Sequence, residues 1–245
     1  MRAFGKLFWV ELKLFVREPL AVIFAIAFPF VMLVTLSGVF GKVPTPEYRG
    51  VKPADYYLSG HVALVIGAIG LIALPVHIAA YRERGVLRRF RASPLPVWAA
   101  FAAPAAVGLV VAAVGAVVLV VTGTLLSDAA LPVSPGLAIA MFGFSTVVFL
   151  AVGFLLAGLA RTARAAQAIG MLVFFPMWLL SGAGPPPMVM SAAMRTISDG
   201  VPLTYAVRVL QDPWLGLAVD PLHVAILGGI LLVAAAASVR LFRSA

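Results

Sequence analysis

Enzymatic chemistry needs nucleophiles, acid–base groups or metal ligands gathered in one place, and this sequence offers few. It has no cysteine, which removes disulfides, thiol catalysis and Cys-ligated metals. The three histidines, His61, His77 and His223, are too scattered to suggest a metal site and read as packed or interfacial side chains. Ser145 lies in an apolar segment with no nearby histidine to activate it, so a hydroxyl bonded to its own helix or to a neighbour is expected. Gly5-Lys6 and Gly41-Lys42 are not followed by Ser or Thr, so no Walker A motif is present and ATP cannot be hydrolysed by that route. Every Asp and Glu falls in a connector between apolar segments, which argues against a proton-driven antiporter, whose carboxylates sit inside spans.

The one dense cluster of chemistry-bearing residues is a basic one. Tyr81 to Pro94 reads YRERGVLRRFRASP and holds Arg82, Arg84, Arg88, Arg89 and Arg91 with a single carboxylate, Glu83. Leu87 and Phe90 give it an apolar side, so a short amphipathic helix on a membrane surface is expected.

The elements around this cluster follow from composition. The 245 residues are 63% hydrophobic and 11% charged, with a mean hydropathy of +1.10; soluble domains carry about 25% charged residues. A spanning helix needs roughly 20 mostly apolar residues, and six segments qualify, at about 20–40, 58–80, 97–126, 136–160, 165–182 and 221–239. Pro29, Pro75, Pro104 and Pro176 do not veto them, since neighbouring helices re-satisfy the freed backbone groups. The net charge of +9 is unevenly placed. Arg2, Lys6, Lys13, Arg17, the five loop arginines, Arg161, Arg164, Arg240 and Arg243 fall on one side. Only Lys42, Arg49, Lys52, Arg195 and Arg208 fall on the other. The positive-inside rule puts both termini in the cytoplasm and explains the charge without nucleic acid.

Residues 1–19 are too polar to span. Arg2, Lys6, Lys13 and Arg17 fall near one helical face, and Phe4, Leu7, Phe8, Leu12 and Phe15 near another, which predicts an interfacial amphipathic helix. Gly184 to Asp220 is the one long outer connection, with Pro185 to Pro187 followed by two short helical stretches, and it predicts a hairpin dipping back into the membrane. Gly108, Ala112 and Ala116 form a small-residue stripe on the third span. The fold class is therefore an all-α membrane protein in a single domain, with six spans, an amino-terminal interfacial helix and an outer re-entrant hairpin.

The arginine segment resembles the cytoplasmic loop of ABC-2 type transporter permeases, which typically reads E-R-x-x-G-T-L-x-R-L-x-x-T-P-L. Glu83, Gly85, Leu87, Arg88, Arg89, Arg91, Pro94 and Leu95 fit that character. Glu83 and Gly85 are spaced more tightly than in some members, and Val86 and Ser93 stand where Thr is common. Arg17-Glu18-Pro19 resembles the family's Arg-x-Pro approach to its first span. Leu180-Ser181-Gly182, Pro185 to Pro187 and Val201 to Val207 resemble its region after the fifth span. The resemblance covers nearly the whole chain, in the expected order.

The resemblance implies the membrane subunit of a bacterial ABC exporter, of the daunorubicin-resistance-like family that moves drugs, lipids or glycans. Two permease chains, identical or paralogous, would pair with two copies of a separate ATPase subunit that holds ATP and Mg; no cofactor or metal is expected in this chain. The loop would be a coupling helix, with Arg82, Glu83, Arg84, Gly85, Leu87, Arg88, Arg89 and Arg91 meeting the ATPase. The path would lie between the two permeases, lined by the first and fifth spans, where Phe174, Phe175, Met177 and Trp178 form a candidate apolar gate. Lipid contact or internal packing is the competing reading of those four. A non-transporting scaffold or immunity protein and an intramembrane lipid-modifying enzyme are the alternative functions; the enzyme would need clustered polar residues at one depth.

Overall fold

The computed structural model describes residues 2–16, 19–40, 42–85 and 97–244. Among these every regular element is helical. The helices are α1 (Arg2–Val16), α2 (Pro19–Val39), α3 (Pro53–Ala68), α4 (Leu74–Glu83), α5 (Val97–Ser127), α6 (Pro135–Leu159), α7 (Ala163–Leu180), α8 (Ala192–Ser198), α9 (Pro202–Trp214) and α10 (Pro221–Ser244). A five-residue π-turn, Ile69–Ala73, joins α3 to α4. The three form one continuous rod.

Five helical stretches among the described residues are long and apolar enough to cross a membrane: Pro46–Glu83, Phe101–Ser127, Pro135–Leu159, Ala163–Leu180 and Pro221–Leu241. A shorter apolar stretch, Ile26–Val39, belongs to α2. The chain is thus a multi-pass helical membrane protein. Its helices alternate between two ends. One end carries Arg82, Arg84, Arg161 and Arg164, and the other carries the connection from α7 to α10.

The rod α3–π–α4 occupies the centre. Its apolar window is wholly buried within the bundle, whereas only a third or less of the windows of α5, α6, α7 and α10 is buried. In a bilayer exposed Val117, Leu172 and Leu232 are lipid-facing surface and cost nothing; the core is where helix meets helix. There glycine sets the spacing. A Cβ on Gly153 of α6 would lie 2.2 Å from the Gly70 carbonyl oxygen, and one on Gly170 of α7 would lie 2.3 Å from that of Leu71. A Cβ on Gly70 would lie 2.6 Å from the Phe149 carbonyl oxygen. Backbones of α6 and α7 therefore rest directly on the π-turn, a closeness only glycine permits.

The third span uses the same device. Ala112 of the expected stripe is fully buried, but the tightest contacts come from glycines seven and eight apart. Cβ atoms on Gly108, Gly115 and Gly123 would lie 2.7 Å from Leu150, 2.8 Å from Val65 and 2.9 Å from Leu58.

The long connection after α7 folds into the two short helices α8 and α9. Leu203, Ala206, Val207, Val209 and Leu210 are buried, and α9 packs against α3, α6, α7 and α10. Polar straps fix this end. Arg49 pairs with Asp212 at 3.0 Å, Arg208 with Asp199 at 2.7 Å, and Lys52 with Asp128 at 3.2 Å. The Tyr56 hydroxyl donates to the Gly182 carbonyl at 2.8 Å, and Trp214 Nε1 donates to the Ala130 carbonyl at 2.9 Å.

Candidate functional site

The arginine-rich end is built from three elements. Helix α1 presents Leu7, Glu11 and Phe15, spaced by four, to the protein, and all three are buried; Trp9, Val10 and Lys13 face outward. It packs against α5 and α2. A carboxylate on that face needs partners, since a buried unpaired charge is prohibitively costly. Glu11, 1% exposed, finds them on α4. Its Oε2 lies 2.9 Å from His77 Nε2 and accepts a hydrogen bond from the Tyr81 hydroxyl. His77 and Tyr81, four apart on one helical face, stack with ring centroids 4.6 Å apart. Phe15 closes the far side, 5.3 Å from the His77 ring. The amino-terminal helix is locked to the central rod one turn before the arginine segment begins.

The next residue, Arg82, reaches the end of α6. Its Nη1 donates to the Ala160 carbonyl at 2.8 Å, with longer contacts to those of Gly158 and Ala157. These are carbonyls left unpaired where a helix stops, and the guanidinium satisfies them while meeting the negative end of the helix dipole. Helix α4 then ends. Gly85 takes a left-handed backbone, φ 68°, and its N–H bonds to the Arg82 carbonyl. Glycine enters this conformation without penalty.

The expected coupling residues are thereby placed as follows. Arg82 faces inward onto α6, Glu83 and Arg84 are exposed beside it, and Gly85 terminates the helix. Leu87, Arg88, Arg89 and Arg91 lie outside the described residues, as does the expected surface helix.

The four gate residues on α7 are brought against α2. Phe174 and Phe175 both meet Phe24 and Phe28 edge-on, at centroid distances of 5.6–6.2 Å. Trp178 meets Phe28 at 5.0 Å. Such edge-to-face contacts are favourable beyond the area they bury. Phe174 is fully buried and so packs internally; Phe175, Met177 and Trp178 are half-buried. The Trp178 Nε1–H is buried with no acceptor among the described residues.

His61 is buried with its Nδ1 2.6 Å from the Tyr57 carbonyl oxygen. His223 lies 3.8 Å from Asp220. Ser145 departs from expectation: its hydroxyl is buried and has no hydrogen-bond partner among the described residues, whereas the adjacent Thr146 donates to the Phe142 carbonyl at 2.7 Å. Among the described residues no group of three or more His, Asp or Glu could hold a metal ion.

The family model for the ABC-2 type transporter matches residues 2–213. The chain belongs to the ABC-2 type transporter family. No curated protein matches it individually. The match runs from α1 into α9, so the locked amino-terminal helix, the rod, the arginine end and the α8–α9 pair all belong to the family's transporter domain. An ABC-2 permease moves a substrate rather than transforming one, and members of this family typically work with an ATPase subunit.

The sequence missed Glu11 as a partner for His77. The signal was present: Glu11 stands midway between Leu7 and Phe15 at helical spacing, on the apolar rather than the basic face.

Proposed function

We propose that this permease exports an amphipathic substrate from the bacterial cytoplasm, powered by two copies of a separate ATPase docked at the arginine-rich end. Two permease chains enclose the path. Helix α2 completes the count of six spans, both termini face the cytoplasm, and the α8–α9 pair dips back into the outer leaflet.

The observation that carries this reading is the connection between the rod and its neighbours. A force applied to the segment 82–91 acts on α4, and α4 is joined to α1 through Glu11–His77–Tyr81 and to α6 through Arg82. The π-turn rests on α6 and α7 without intervening side chains. Closure of the ATPases would then move packed helices as a unit, because interdigitated cores shift between discrete arrangements and do not deform smoothly. At the aromatic cluster, Phe175, Met177 and Trp178 form the gate. The unpartnered Trp178 Nε1–H is a donor for a cargo acceptor, and the surrounding rings suit an apolar body.

The test is reconstitution in liposomes with the cognate ATPase. Efflux should require ATP and the ATPase, and reversing charge at Glu83 together with Arg88 and Arg89 should abolish coupling while leaving the permease inserted. Transport in the absence of any ATPase would refute the proposal. Trp178→Phe keeps the ring and removes the donor; it should weaken transport of acceptor-bearing cargo roughly tenfold or less, the range of one hydrogen bond.

A further inference from the structure

The end of the bundle opposite the arginines holds a cavity of about 190 Å³ between the last turns of α2 and α5, more than ten times the roughly 15 Å³ that one water needs. Its lining includes Val34 and Ser37 of α2, Lys42 and Lys52 of the connection that follows, and Leu126 and Asp128 at the end of α5.

Two features mark it as a built site. The first is Ser37. Ser59, Thr122, Thr124, Thr146 and Ser238 in these helices donate to a carbonyl one turn back, whereas Ser145 and Ser37 do not, and of these two only Ser37 lines the cavity. Ser37, 8% exposed, has no hydrogen-bond partner among the described residues. A buried hydroxyl left unpaired is costly, and this residue is in the cavity lining beside Lys42, Lys52 and Asp128. The second is charge. Lys52 and Asp128 pair at 3.2 Å and cancel. Lys42 is exposed and has no ion-pair partner among the described residues. The cavity therefore carries a net single positive charge, the complement of one phosphodiester.

The surroundings identify the bearer of that phosphodiester. Val31 lies one turn before Val34 on α2, and Val118 lies two turns before Leu126 on α5; both are exposed. Both helices therefore keep exposed apolar side chains on the bundle side of the cavity. Lysines at the boundary of the hydrocarbon region with an apolar surface beneath them are the complement of a lipid, with charge at the headgroup and apolar contact below it. We infer that this cavity binds the phosphodiester headgroup of a membrane phospholipid, held by Lys42, Lys52 and the Ser37 hydroxyl. The inference requires only that the chain cross a membrane, and stands independently of export.

Native mass spectrometry of the purified permease in micelles doped with phosphatidylglycerol tests it. Wild type should retain a bound phospholipid through micelle removal. Lys42→Gln, an exposed change at a residue with no ion-pair partner, should reduce the retained fraction roughly threefold, as expected for a partly exposed ionic contact. Ser37→Leu, which fills the cavity, should abolish retention. Arg195→Gln, at the same end but not in the lining, should leave it at the wild-type level. Diacylglycerol, which lacks the phosphate, should not be retained, and soluble glycerophosphate should not displace the lipid at equal concentration. Wild-type retention in Lys42→Gln overturns the inference. So does retention of diacylglycerol, or displacement by glycerophosphate, which would make the site one for free anions.

Discussion

Glu11 shows how one residue can alter the reading of a segment. In an amino-terminal helix rich in Lys and Arg, a glutamate resembles one more surface charge. Its position on the buried face commits it to His77 and Tyr81, and removing it strands both. Glu11→Ala should therefore destabilise the detergent-solubilised protein by about 3–5 kcal/mol, the usual cost of breaking a buried pair from one side. Glu11→Gln keeps the volume and one acceptor and should cost less. A double-mutant cycle of Glu11→Gln with His77→Gln, read by thermal unfolding, should give a coupling well above the measurement error; additive losses would show that the two residues do not act together. Ion pairs at the far end should respond differently. Arg208 and Asp199 are both partly exposed, so Arg208→Gln should cost 1 kcal/mol or less, about the ceiling for surface pairs.

At the scale of elements, the contrast is between features carried along one helix and those made between helices. Five apolar stretches, the amphipathic first helix and the two short helices after α7 were legible because hydropathy and spacing act within a continuous segment. The contact of Gly70, Gly153 and Gly170 was not, because each glycine sits on a different element and has no partner four residues away. The π-turn was equally hidden: nothing in Ile69-Gly70-Leu71-Ile72-Ala73 departs from an ordinary apolar helix. Of the candidate site, the arginine segment stood out by charge density, but the inward role of Arg82 depends on where α6 happens to stop. These glycines give a sharp prediction. Gly153→Ala and Gly170→Ala should each destabilise by about 1–3 kcal/mol through overpacking against backbone that cannot rotate away. Gly143→Ala, on α6 with open space around it, should instead stabilise by up to about 1 kcal/mol from helix propensity. Melting temperatures of the three variants in one detergent would compare them directly. Equal behaviour would mean that α6 does not rest on the rod as described.

At the scale of the molecule, topology decides whether the proposed coupling can operate, since the arginine end must face the compartment that contains ATP. Both sequence and structure bear on this. The sequence assigns most of its Lys and Arg to one side, and in the structure the opposite end is strapped by Arg49–Asp212, Lys52–Asp128 and Arg208–Asp199. An excess of Lys and Arg in short connectors, whatever their acidic neighbours, is what favours their retention in the cytoplasm. The absence of cysteine makes the point directly testable, because any single introduced thiol is the only one present. Glu47→Cys, in the exposed turn before α3, and Glu83→Cys, exposed at the end of α4, sit at opposite ends of one continuous rod. A membrane-impermeant maleimide applied to intact cells should label Glu47→Cys at once and Glu83→Cys only after permeabilisation. The reverse pattern would invert the molecule and remove the ATPase from reach of the arginine segment. Because the two positions flank a rod whose apolar window is wholly buried, no rearrangement of peripheral helices could place both on the same side without unfolding the core.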